Sequence, residues 1–125
     1  MLVEKSDAVS IWIGDITDAQ LQTYVLDEGT CLDEPINEFA ADMDDYSYDS
    51  DMLDVVHEEK RVIGTRELIS KLAYSDSFIE EVVQAVEQRE LSPINCALGL
   101  YRQELQLEAW PSGSPLDFVG TFKFS

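Results

Sequence analysis

A chain of 125 residues, 45% hydrophobic and 10% aromatic, has enough apolar side chain for one compact domain and too little length to expect two. Its 26 acidic residues against 8 Lys and Arg leave a formal net charge of −18, which argues against nucleic acid or anionic lipid as a partner, since both call for a cationic surface. No apolar run approaches the roughly 20 residues of a membrane span and no signal-peptide pattern opens the chain, so a cytoplasmic location is expected.

In chain order, "VSIWIG" from Val9 to Gly14 is β-branched and aromatic and reads as a strand, with Val9, Ile11 and Ile13 on one face and Trp12 on the other. Thr17 with Gln20 three residues on makes a capping box, and Ile16 is placed to staple onto Leu21, so a helix to about Leu26 is expected. After the turn "LDEGTCLDE", Pro35 suits a first helical position, and Ile36, Phe39, Ala40 and Met43 follow at helical spacing. "ADMDDYSYDSDMLD", residues 41–54, then concentrates aspartates and serines that favour turns, and the stretch reads as a loop.

"HEEKRVIG" reads as a turn and a short strand, after which Thr65 opens a helix carrying Leu68, Ile69 and Leu72. Beyond a break at "YSDS", Ser77 with Glu80 suggests a second capping box. Phe78, Ile79, Val82, Val83 and Val86 give that helix an apolar face until Pro93 stops it. "INCALGLY", "LQLEAW" and "DFVGTFKF" read as strands, the last two separated by the turn "PSGSP", with Phe118, Gly120, Phe122 and Phe124 expected on one face. The fold class that follows is α+β, an antiparallel sheet of about four to five strands packed on helices in two layers.

Little in the chain points to catalysis. His57 is the only histidine, and there is no G-x-S-x-G, no P-loop and no dinucleotide fingerprint. Cys31 and Cys96 lack metal-ligand spacing and read as reduced, buried thiols. Counting Asp42 as the first ligand of a calcium loop puts Ser47 where glycine is needed and Leu53 where glutamate is needed, so that template fails. A carboxylate pair of the glycosidase kind would need a sugar cleft, which the small size argues against. No cofactor and no metal site are expected.

The charge is unevenly distributed, with no Lys or Arg between Ser6 and Glu59. Within that stretch Tyr46 and Tyr48 are spaced by two among aspartates, so an extended backbone would send both rings to one side. Tyrosine is a favoured interface anchor, and acidity beyond what solubility needs fits steering toward a basic protein. The competing reading makes the rings part of a half-buried strand.

"SIWIG", "FAADMDDYSYDSDML", "NCALGLYRQEL" and "LDFVGTFKF", in this order and spacing, resemble the immunity protein 22 family of bacterial polymorphic-toxin systems. Tyr48, Asp49 and Asp51 stand where that family has a tyrosine followed by acidic residues; Ser50 replaces a usual acid and Met52 a usual aromatic. The resemblance implies a small α/β protein that neutralises a cognate toxin in the cytoplasm. A nuclease is the expected target, because it must be cationic where it holds phosphates. The expected contacts are Asp44, Asp45, Tyr46, Tyr48, Asp49, Asp51 and Asp54. Two other readings remain at this stage: an acidic mimic of DNA that inhibits a host nucleic-acid-binding protein, and a small hydrolase whose turnover would be lost on Asp49→Asn. The sequence sets no oligomeric state.

Overall fold

A computed structural model describes residues 1–26, 35–45, 47–58, 64–91 and 94–124. The first strand, β1 (Leu2–Gly14), starts seven residues earlier than Val9, and only its second half is buried. The Thr17 cap forms as expected: its hydroxyl accepts from the Gln20 N–H at 3.1 Å, while the Gln20 side chain accepts from the Thr17 N–H at 2.9 Å. The helix it starts, α1 (Asp18–Val25), buries Leu21 and Tyr24.

Helix α2 (Glu38–Asp42) begins later than Pro35 because Asn37 is its cap, with Oδ1 accepting from the Ala40 N–H at 2.8 Å. The turn over 27–34, Cys31 included, lies outside the described residues. Strand β2 (Leu53–His57) follows a 3₁₀ turn at Ser50–Met52, so the stretch read as loop ends in a strand that includes Asp54. The strand expected in "HEEKRVIG" falls mainly on residues 59–63, outside the described set.

Helix α3 (Thr65–Ile69) buries Leu68 and Ile69, and α4 (Ile79–Gln88) buries Val82, Val83 and Val86. The expected Ser77–Glu80 box does not form. Residues Ser75–Ser77 make a 3₁₀ turn, Phe78 stands at the cap without a side-chain bond, and Glu80 forks onto Arg66 at 2.5 and 3.0 Å. A carboxylate reaching a guanidinium has a stronger partner than one backbone N–H. Pro93 lies outside the described residues; α4 ends at Gln88.

Strands β3 (Cys96–Leu105) and β4 (Asp117–Lys123) complete an antiparallel four-stranded sheet of order β2-β3-β1-β4 among the described residues. The α+β class and the antiparallel sheet are as expected. The helices, however, cover both faces. Val9, Ile11, Ile13 and Ala97 join α3 and α4, while Trp12, Leu98 and Leu100 join α1 and α2. The reason stands in "CALGL": apolar at every position and buried at every position, it is a strand covered on two sides.

Two strand readings change. "LQLEAW" continues β3 only to Leu105, and beyond it Ala109 is exposed while Trp110 Nε1 donates to the Leu116 carbonyl at 2.8 Å. In β4 the pairing jumps from Ile11 with Gly120 to Trp12 with Phe118, leaving Val119 as an extra residue beside Gly120, whose φ is 150°. A one-residue bulge reverses the alternation beyond it. Phe118 therefore packs on the Trp12 side, and Phe122 and Phe124 on the other.

Candidate protein-binding surface

The acidic segment starts where α2 ends. Met43 is fully buried, and Asp44 turns the chain with φ 57°, a left-handed conformation that aspartate tolerates better than most residues. Asp44 faces solvent. Asp45 is tied down, its Oδ2 accepting from the Leu2 N–H at 2.9 Å. Tyr46 lies outside the described residues, so the expected pairing of two rings on one side does not fall within them.

Tyr48 is half-buried. Its ring meets Phe39 edge-on at 5.3 Å between centroids, and its hydroxyl accepts from Asn37 Nδ2 at 2.8 Å. The same Asn37 amide donates to the Val25 carbonyl at 3.1 Å, so one buried asparagine caps α2, holds the end of α1 and fixes Tyr48. Nothing in the composition of the acidic run announces that role; the signal was the asparagine two residues ahead of Phe39, in a position favoured for caps.

Asp49 Oδ1 accepts from the Asp51 N–H at 3.0 Å and so bends the chain into the 3₁₀ turn, with both aspartates exposed. Asp54, half-buried on β2 opposite Gly99, accepts from the Ala73 N–H at 2.8 Å. The six expected contacts that lie within the described residues thus fall into separate places: Asp44 and Asp45 at the end of α2, Tyr48 against α2, Asp49 and Asp51 at the 3₁₀ turn, and Asp54 on the edge strand β2.

The last two carboxylates border a groove of about 430 Å³ whose other wall is aromatic. Tyr74, Tyr101 and Phe124 form a triangle of rings, with centroids 6.1, 5.6 and 5.2 Å apart. The Tyr101 hydroxyl donates to the Ala73 carbonyl, and burial first, then the charge of Asp54, raises its pKa above the ordinary phenol value. Asp54 and Tyr101 therefore grip both backbone groups of Ala73, which sets the next residue, Tyr74, in the left-handed conformation at φ 60° with its side chain 68% exposed as a residue. Gly99 makes room for this: a Cβ there would stand 3.2 Å from the Tyr101 ring. Sequence reasoning did not single out Tyr74, Tyr101 or Phe124 for this site; they lie ahead of a 3₁₀ turn, on β3 and just beyond β4.

His57 holds the structure rather than facing a nucleophile, with Nε2 3.0 Å from the Ile16 carbonyl. Burial pushes the Cys96 thiol up to about 12, so it stays protonated and unreactive. Among the described residues no three His, Cys, Asp or Glu side chains gather as metal ligands, and no helix is long and apolar enough to cross a membrane.

An exposed carboxylate, Asp51, and a half-buried one, Asp54, beside the exposed Tyr74 make a surface suited to holding a protein partner. The family comparison agrees with that class. Residues 9–125 match the family described as Immunity protein 22, and the chain belongs to it. Searches among curated proteins and among solved structures found no match.

Proposed function

We propose that the protein neutralises a cognate toxin by covering a cationic surface of that toxin with the acidic segment and the adjoining sheet edge. Family membership supplies the immunity role and with it a toxin as partner. The observation that carries the surface assignment is the exposure of Asp44, Asp49 and Asp51 within a stretch, Ser6 to Glu59, that has no Lys or Arg. Carboxylates so placed raise the association rate of a basic partner and pair with its Arg and Lys on contact.

A nuclease domain fits this chemistry best, because the groove that holds its substrate phosphates is cationic and accepts carboxylates in their place. Asp44, Asp45, Tyr46, Tyr48, Asp49, Asp51 and Asp54 form the proposed contact surface. Tyr48 serves it doubly, by its exposed edge and by holding the loop on Asn37 and Phe39. Inhibition is then steric and electrostatic, in a cytoplasmic complex, with the whole chain acting as one unit and no cofactor.

The test is co-expression with the cognate toxin, sought first in the adjacent reading frames. The expected result is a stable complex in which nuclease activity of the toxin is abolished, weakening as salt is raised. A toxin that stays free and fully active beside an excess of this protein would end the reading.

A further inference from the structure

The groove beside β2 has a composition that selects among cationic partners. Three rings, of which Tyr74 is the most exposed, line it together with Asp51 and Asp54. Asp54 spends Oδ2 on the Ala73 N–H, and its other oxygen has no partner among the described residues. We infer that this groove is the receptor for one arginine side chain of the toxin, the guanidinium lying against Tyr74 and its neighbours while its N–H groups reach Asp51 and Asp54. The inference rests on the toxin-binding reading above.

Three observations converge on it. A planar guanidinium is the cation that both stacks on aromatic rings and forks onto carboxylates, whereas an ammonium is more strongly hydrated and is a point charge. The formal charge of −18 attracts cations to the chain as a whole. Finally, residue 74 takes a left-handed backbone conformation that glycine or asparagine adopts at lower cost, and its ring, though it meets Tyr101 and Phe124, leaves 68% of the residue in solvent.

The rim also carries a cation of the chain's own, Arg102, exposed and with φ 63°. It decides the sign of the occupant. If the guest is cationic, Arg102 repels it and its removal tightens binding; if the guest is anionic, removal weakens binding.

The experiment is an NMR titration of the intact chain with N-acetyl-arginine methylamide, and in parallel with the citrulline analogue, which keeps the shape without the charge. Saturable shifts confined to the rings of Tyr74, Tyr101 and Phe124 and to Asp51 and Asp54 are expected with the arginine probe alone. Tyr74→Ala should weaken it roughly three- to thirty-fold, Tyr74→Phe should retain it, and Arg102→Ala should tighten it a few-fold, as the range for cation–π contacts and the removal of a like charge imply. Equal shifts with citrulline, shifts scattered over the acidic surface without saturation, or weaker binding in Arg102→Ala would overturn the assignment. The titration uses the chain without toxin, so it can fail while the toxin is still captured. If the probe binds but Tyr74→Ala holds the toxin as tightly as the wild type, the toxin does not use the groove and the inference falls while the immunity role stands.

Discussion

Tyr48 and Tyr74 are held in opposite ways. Tyr48 has carboxylate neighbours in sequence, yet its ring turns inward to Phe39 and its hydroxyl to Asn37. Tyr74 lies far from the acidic run in sequence, yet it is largely exposed, its ring against Tyr101 and Phe124 in the groove that Asp51 and Asp54 also line. What separates them is the backbone. Around Tyr48 the chain follows a capped helix whose end is buried, whereas at Tyr74 both backbone groups of the preceding residue are gripped and the chain is forced left-handed. Sequence proximity to charge is therefore a poor guide to which ring is left exposed.

The comparison is broken most directly by truncation. Tyr48→Ala removes a half-buried ring and the acceptor of Asn37, which should cost about 2 kcal/mol of unfolding free energy in urea. Tyr74→Gly should change it by less than about 1 kcal/mol, because relief of the left-handed backbone offsets the lost ring contacts. Equal costs at the two positions would show that both rings are structural. Next in size is charge: Asp49→Lys combined with Asp51→Lys should slow toxin association by about tenfold at low salt and flatten its salt dependence, with circular dichroism unchanged. Association kinetics identical to wild type would take both residues out of the contact surface.

Alkaline pH sharpens the contrast between buried and exposed groups. Burial and the bond to Asp42 raise the Tyr24 phenol, and burial with the Asp54 charge raises that of Tyr101; the Cys96 thiol goes from 9.0 to about 12. In all three the folded state favours the protonated form, so above the ordinary values the unfolded chain binds fewer protons than the folded one. The stability these groups contribute is full below about pH 9 and declines as pH rises beyond it, which urea midpoints at about pH 8 and about pH 11 would reveal. A midpoint that holds steady or rises over that range would contradict the burial of these groups. Cys96 should also resist alkylation at neutral pH until the protein unfolds.

The smallest effect is expected at Arg66. Its hydrogen bonds first, and its charge second, hold the Glu80 carboxyl below the usual range, so this pair stabilises above the ordinary carboxylate pKa and loses its effect as pH falls through the lowered one. Both partners are exposed to water, and Arg66→Ala should leave the thermal midpoint almost unmoved.

Much of the scaffold was legible from local pattern. The alternation in "VSIWIG" places Val9, Ile11 and Ile13 opposite Trp12, the Thr17–Gln20 box starts α1, and the apolar stripe from Phe78 to Val86 lies on α4. Each involves residues within a few positions of one another, where covalent geometry sets the spacing. Misreadings arose where a partner distant in sequence intervened. Arg66 drew Glu80 away from a capping box, and the bulge at Val119 turned Phe118 to the face opposite Phe122. At Leu53–His57 an aspartate within a short strand hid the pairing with β3.

By itself the sequence determined the charge, the periods of the strands and helices, and where most elements start, because these follow from side-chain chemistry and short-range backbone geometry. Tertiary structure alone decided that helices cover both faces of the sheet, that Tyr48 turns in, and that Tyr74, Tyr101 and Phe124 meet Asp51 and Asp54 in one groove. Those outcomes depend on strand register and on contacts between residues far apart in the chain, and a one-residue shift in pairing sends every following side chain to the other face.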